Sequence, residues 1–415
     1  MKILMFPISN ELGATQCLVR IAEELRKFKH TVIFAGSGKY MSFIKDNGFD
    51  TYTIQELDQE VYIKYIRKGN LNFHTYKSIQ SFVSDEVSLI NILDPDLIVD
   101  IFRPTIYISS KITNVPRVHV ANSILTKYYA EKLTIPEGHW AYLITSKSKI
   151  IDKMAVSMVP FLKNHMYAKC LIPYNKFLEN NNLTPVASFL DLFEGDITIL
   201  MDAQEFAPIK DYPETVYQVG PILHNKVSET LPPWINKLGK NGEKVIYVSM
   251  GSTGDMIQRV LKDLYSLYAN ENDIQVVSNI TYLMDNSEFL NAHNFFIEKF
   301  LPAQDIMRKA DLVITHGGRG TIYHSLESGV PIIGIPHQPE QEWNLNKVVD
   351  LKVGIKILQT KYNKDILKVG IDNILNNKEF RKNALIFKDV LLKYNGAKMS
   401  AEIINEKYDK NSKNR

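Results

Sequence analysis

Thr315-His316-Gly317-Gly318-Arg319-Gly320-Thr321 follows the apolar run Leu312-Val313-Ile314 and leads into a segment of helical character. A strand that feeds a glycine-rich turn into a helix start is a cradle for an anion. The glycines let the backbone close on a phosphate, and the first helical N–H groups and the helix dipole stabilise negative charge. His316, at the strand end, can add one more hydrogen bond to that anion. Such a turn belongs to an open α/β sheet, where ligands sit beyond the carboxyl ends of the strands.

Alternation of strand and helix runs outward from this turn. Val245 to Ser249, Ile274 to Val277, Phe295 to Glu298, Leu312 to Thr315, Ile332 to Ile335 and Ile355 to Leu358 read as strands separated by helical segments. The first part of the chain repeats the theme. A strand from Lys2 to Ile8 and a loop from Ser9 to Thr15 precede a helix with apolar positions at Leu18, Ile21, Ala22 and Leu25, the spacing of one buried face. Thr31 to Ala35, Leu97 to Phe102 and Arg117 to Ala121 read as further strands. Two such series predict two parallel sheets with helices on both faces. The stretch from about 125 to 200 reads as helical but gives no order, and Pro208, Pro213 and Pro221 mark a connection between the halves. The expected division is residues 1–205, a linker at 206–222, a second domain at 223–395, and a C-terminal segment at 396–415.

Composition narrows the function. With 415 residues, 45% of them hydrophobic, the chain can fill two cores. Forty-nine Lys and Arg against 46 Asp and Glu give a formal charge of +3, too balanced for a nucleic-acid partner. Cys17 and Cys170 show neither metal spacing nor a disulfide framework and read as buried thiols in a reducing, cytoplasmic setting. No apolar run approaches the ~18 residues of a membrane span. The apolar start, Met1 to Pro7, reads as a buried strand rather than a leader.

The glycine-rich turn continues into Ser325-Leu326-Glu327-Ser328-Gly329-Val330-Pro331, then Pro336, Glu340-Gln341 and Asn344. The whole string resembles the donor-binding signature of the family 1, UDP-glycosyltransferase-like sugar transferases, in their bacterial macrolide and antibiotic branch. The resemblance implies the GT-B fold: two Rossmann-like doubly wound domains facing a cleft, with a last helix, here Met399 to Tyr408, returning to the first domain. It also implies inverting transfer from a UDP- or dTDP-sugar with no metal and no cofactor. Gly251 and Ser252 match a turn that approaches the diphosphate, and His316, Gly317, Gly318 and Thr321 match the pyrophosphate cradle. Phe300 and Pro302 stand where plant relatives place a Trp-x-Pro-Gln base-stacking motif. Ala303 replaces the Gln there, which leaves uracil and thymine both open. His324 takes the place of a ribose-binding Glu, and Glu340 and Gln341 match residues that hold hydroxyls of the transferred sugar. Asn344 reads as a local cap.

The acceptor half departs from the pattern. Relatives carry Gly-His in the first loop, with an Asp on a later strand holding that base; here the positions read Gly13-Ala14 and Ile101, next to Asp100. Three readings follow: an acceptor already ionised, a substitute carboxylate at Asp100 or Glu11, or a silent nucleotide-sugar-binding or auxiliary protein. A GT-B epimerase fits the string less well. If the base is lost, Ala14 should face the cleft beside Asp100 or Glu11. His30 and His119 read as packing residues. Asp94-Pro95-Asp96 precedes a strand instead of following one and is rejected as a metal motif. From Val61 to Ser84, Lys64, Arg67, Lys68 and Lys77 alternate with Tyr62, Tyr65, Phe73, Tyr76 and Phe82. This reads as an amphipathic helix whose aromatics line the acceptor pocket or core, with peripheral contact to anionic lipid at the inner membrane face as the alternative. The acceptor itself, whether hydroxyl, phenol, phosphate or lipid, is not legible.

Overall fold

Strands buried on both faces need apolar runs, as in Lys2–Phe6 and Leu312–Thr315, and thirteen strands form among the described residues. The computed structural model describes residues 1–67, 72–131, 133–136, 142, 167–224, 231–251, 256–279, 289–298 and 301–409. The first sheet holds β1 (Lys2–Phe6), β2 (Thr31–Ala35), β3 (Asp50–Tyr52), β4 (Leu97–Ile101), β5 (Arg117–Ala121), β6 (Ile197–Leu200) and β7 (Val216–Gln218). Their order is β3-β2-β1-β4-β5-β6-β7, all parallel. The second holds β8 (Lys244–Ser249), β9 (Ile274–Asn279), β10 (Phe295–Glu298), β11 (Leu312–Thr315), β12 (Ile332–Gly334) and β13 (Gly354–Lys356). Its order is β10-β9-β8-β11-β12-β13, again parallel. In each sheet the winding reverses once, between β1 and β4 and between β8 and β11. Loops diverge at those points and leave room for a ligand.

Alternation within each strand feeds two cores. In β1, Ile3 and Met5 pack with Leu18 and Ile21 of the helix Leu12–Lys27 and with Ala401 and Ile404 of the helix Gly396–Tyr408. Leu4 and Phe6 face the other side, against Leu89 and Ile90 of the helix Tyr76–Leu93. In the second sheet, Ile246 and Val248 pack toward the helix Ile257–Tyr268, whereas Val245 and Tyr247 meet Ile306 and Met307.

The chain forms two compact units: residues 1–133, 153–224 and 394–415 in one, and 134–152 and 225–393 in the other. Residues 206–222 correct the expected linker, because they contain β7 and so belong to the first sheet. The loop expected from Ser9 to Thr15 is also shorter, since the helix starts at Leu12. The stretch Val61 to Ser84 is split: one helix spans Gln59–Arg67 and the next begins at Tyr76, where Thr75 and Ser78 form a capping box. Asp94 is the left-handed C-cap of Tyr76–Leu93, and Asp96 accepts the backbone N–H of Lys2 at 2.7 Å. Both have structural tasks. Among the described residues no helix is long and apolar enough to cross a membrane.

Candidate functional site

At the carboxyl edge of the second sheet, β8 and β11 end side by side, with Thr315 in register with Ser249. His316 is buried there, and glycines seat its ring on two sides. A Cβ on Gly251 would stand 2.5 Å from His316 Cε1, and one on Gly318 would stand 2.7 Å from Nε2. Gly251 (φ +65°) and Gly317 (φ +93°) also hold left-handed backbone that side chains resist. Gly251 and Gly318 thus clear space for the imidazole. Burial, and next the neighbouring His337, push the His316 ring down to about 4. The ring is neutral at pH 7, and its Nδ1 is buried without a hydrogen-bond partner among the described residues.

The helix Arg319–Glu327 starts directly behind this ring. Gly318 is its N-cap, no side chain caps it, and its first turn carries no acid. Its leading N–H groups, Thr321 among them, lack intrahelical partners, as at any helix start. His324 lies further along, with Nδ1 3.8 Å from Glu327 Oε2, and Glu327 in turn accepts Gln304 Nε2 at 3.1 Å. Gln304 follows Pro302, the N-cap of the helix Ala303–Met307. The expected base and ribose segments therefore meet at one place. Ser252 and Phe300 lie outside the described residues.

Pro339 opens the helix Pro339–Asp350, which places Glu340 and Gln341 in its first turn. Gln341 Oε1 accepts the His337 N–H at 2.9 Å, which pins the loop from β12, and among the described residues its amide nitrogen makes no hydrogen bond. Asn344 donates to the Gly317 carbonyl at 3.2 Å and to Glu340 Oε1 at 3.3 Å. The proposed sugar-binding turn and the glycine cradle are tied together by that one amide.

The carboxyl edge of the first sheet is built from charge. Glu56 accepts the Ser9 hydroxyl and the N–H groups of Ser37 and Gly38, each of the latter at 2.8 Å. Arg103, after β4, bonds Glu56 at 3.1 Å, Glu86 at 2.7 Å and the Gln55 carbonyl at 2.7 Å. Glu11, just before the first helix, accepts the Tyr62 hydroxyl through Oε1, and among the described residues no hydrogen bond reaches Oε2. Burial raises its carboxyl above the usual range, with the Tyr62 bond opposing. Sequence reasoning reached Glu11 but missed Glu56, Arg103 and His74. Their partners lie tens of residues away, beyond any local pattern.

Two expectations are corrected here. Asp100 sits inside β4, fully buried, and its carboxylate grips Arg117 at 2.6 and 2.9 Å and His119 Nδ1 at 2.9 Å. Despite burial, the Arg117 guanidinium and the His119 ring hold it down to about 2. It is a buried ion-pair residue whose two oxygens are both engaged by Arg117 and His119. His119, read as a packing residue, is the third member of that group. Ala14 is buried in the core beside Cys17 and Leu18, so it faces no site. Gly13, by contrast, is exposed, with nothing within 4 Å of a Cβ built on it.

Residues 245–390 match the glycosyltransferase family 28 C-terminal domain. Over 88% of its length the chain is 22% identical to a PGL/p-HBAD biosynthesis glycosyltransferase of Mycobacterium tuberculosis, covering 82% of that protein. Its fold is similar to that of the kitacinnamycin glycotransferase (TM-score 0.72, 18% identity, 98% of both chains). A Streptomyces glycosyltransferase solved with thymidine diphosphate is comparable (TM-score 0.66, 14% identity, 97% of this chain and 99% of that one). The two doubly wound sheets, each with its ligand edge at a switch point, define the GT-B architecture. The chain thus has the GT-B fold, and its second unit carries the matched glycosyltransferase domain.

Proposed function

We propose that the protein is an inverting, metal-independent glycosyltransferase that moves a sugar from a dTDP- or UDP-sugar to a hydroxyl-bearing acceptor. The observation that carries this reading is the uncapped helix start at Gly318, set directly behind a buried neutral imidazole with an orphaned nitrogen. Such a site meets the charge that gathers on a departing nucleoside diphosphate, the role a metal ion fills elsewhere. Glu340 and the free amide of Gln341 offer an acceptor and a donor to adjacent hydroxyls of the sugar.

Glu11 is the base in this reading. Its Oε2 takes the proton of the acceptor hydroxyl as that oxygen bonds to the anomeric carbon. The bond from that carbon to the β-phosphate oxygen breaks on the opposite face and releases the nucleoside diphosphate. A carboxyl raised by burial is better matched to a hydroxyl proton at neutral pH than an ordinary one. The thymidine diphosphate held by one structural neighbour supports dTDP-sugars as donors. Cys17 and Cys170, buried and in no disulfide among the described residues, fit a cytoplasmic setting.

A second reading, a nucleotide-sugar-binding protein without transfer, is kept because the first loop, Pro7 to Glu11, carries no histidine to serve as a base. Incubating the full chain with dTDP-glucose or UDP-glucose and a panel of hydroxyl acceptors separates the two. Formation of the β-glycoside from an α-linked donor is expected. Retention of configuration would overturn inversion, and tight donor binding with neither transfer nor hydrolysis would favour the silent reading.

A further inference from the structure

Glu11, in the loop between β1 and the helix Leu12–Lys27, is fixed first by its own backbone. Its N–H donates to the Ile8 carbonyl at 3.0 Å, and its carbonyl accepts the Thr15 N–H at 3.1 Å and the Thr15 hydroxyl at 2.8 Å. Asn10, one residue earlier, donates to the Leu57 carbonyl at 2.9 Å, which ties this loop to the segment leading into the helix Gln59–Arg67. These bonds set the main chain and leave the Glu11 side chain free to rotate. Tyr62, on that second helix, supplies the missing constraint, because its hydroxyl donates to Glu11 Oε1. The tyrosine is itself held: its ring is buried, and Phe73 meets it edge-on at 6.2 Å, backed in turn by Tyr65 at 6.3 Å.

The groups that face this carboxylate are two tyrosines. Tyr40, the residue before the helix Met41–Asp46, is raised by burial and then by the Glu11 charge, so it stays a neutral phenol. Among the described residues no cation acts on Glu11: burial raises its carboxyl, and the Tyr62 bond alone opposes that rise. A general base must be ionised before it takes a proton, and it must keep an oxygen open to receive one. A phenol on Oε1 meets both needs. A hydrogen bond to the ionised form favours that form, and a partner on one oxygen leaves the other to the incoming hydroxyl.

We propose that Tyr62 is the positioning residue of Glu11: its hydroxyl fixes Oε1, steadies the ionised carboxylate and leaves Oε2 to take the acceptor proton. Tyr62 keeps its own proton throughout. The acceptor proton goes to Oε2, the electron pair left on the acceptor oxygen forms the bond to the anomeric carbon, and the departing diphosphate takes the pair of the bond that breaks. The inference rests on the reading of Glu11 as the base. Two titrations of the full chain test it: carbon-13 NMR of protein labelled at the glutamate carboxyl carbons, with the Glu11 signal assigned by its loss in Glu11→Gln, and initial transfer rate against pH at saturating donor. Tyr62→Phe keeps the ring and removes the hydroxyl. In that variant the Glu11 midpoint is expected to rise and the acid limb of the rate profile to follow it to higher pH. The plateau rate is expected to fall about tenfold, as for loss of a hydrogen bond to a charged group, with the KM for nucleotide sugar unchanged. A ring-fluorinated tyrosine in place of Tyr62 carries a more acidic hydroxyl that donates more strongly, and it should move midpoint and limb to lower pH. An unmoved Glu11 midpoint in Tyr62→Phe overturns the inference, and so does a rate loss equal at every pH, the mark of a purely structural role. If Tyr62→Phe does not fold, the direction of shift in the fluorinated protein decides. Full transfer activity in Glu11→Gln sinks the base reading and this inference with it, whereas a loss in Glu11→Gln beside an unmoved Tyr62→Phe profile sinks this inference alone.

Discussion

At the switch point of the second sheet the chain sets glycines around a neutral imidazole and leaves helix N–H groups open. At the switch point of the first sheet it buries Glu56, Glu86 and Arg103 in one network, with Glu11 and Tyr62 beside it. The strand order up to that point is the same in both. One edge is made of backbone and offers fixed dipoles to a ligand common to many transferases. The other is made of side chains whose positions depend on one another. The difference teaches that a shared architecture fixes where a ligand goes, while the material of the edge fixes how freely recognition can change.

The largest effect is expected at Glu11. If it is the base, Glu11→Gln lowers the rate of transfer by about 10²–10⁴-fold and leaves donor binding intact. Full activity in that variant, read in initial-rate assays at saturating donor, would break the assignment and return the problem to an acceptor that is already ionised.

Asp100 comes next and separates structure from chemistry on the same edge. Asp100→Ala strands a buried guanidinium, and breaking such a pair costs about 3–5 kcal/mol of folding stability in denaturant titrations. Its pH signature has a definite sign. The folded carboxyl is held near 2, below its ordinary value, so its contribution is present above about pH 4 and is lost as the pH falls toward 2. Unchanged stability with abolished activity would make Asp100 a catalytic group after all.

On the second edge, His316→Ala is expected to weaken free nucleotide and nucleotide sugar alike, by roughly 1.5–3 kcal/mol for a bond to an ionised phosphate. The variant also tests a pH effect. The folded ring resists protonation down to about pH 4, while the unfolded chain takes the proton near its ordinary value. Wild-type stability should therefore fall as the pH drops from about 6.5 to 4, and that slope should flatten in the variant. The smallest effect is at Glu340. Glu340→Ala should cost the intact nucleotide sugar about 0.5–1.5 kcal/mol and the free nucleotide almost nothing. Equal losses for both would show that this carboxylate does not face the sugar.

Legibility in the sequence follows the same divide. Leu312 to Thr315 and the glycines after it announce a strand, a turn and a helix start, because each property is local: apolar run, left-handed backbone, absent Cβ. Arg117 to Ala121 was equally plain as a strand, yet nothing local says that its Arg and His close on Asp100 of the neighbouring strand. Ala14 aligns with a catalytic position in relatives but faces the core, since the helix begins at Leu12 and turns that residue inward. The proline-rich stretch 206–222 suggested a linker because prolines break regular structure, but it still supplies the edge strand β7.

By itself the sequence determined two parallel sheets, the glycine cradle with His316, and the turn bearing Glu340 and Gln341. Periodicity, backbone conformation and the spacing of one continuous segment carry all of these. Only the tertiary structure decided which carboxylates are locked and which remain free. It withdrew Asp100 and, among the described residues, left Glu11 Oε2 and the buried Nδ1 of His74 without a hydrogen-bond partner. Those outcomes depend on burial and on partners tens of residues apart, and a one-dimensional pattern encodes neither.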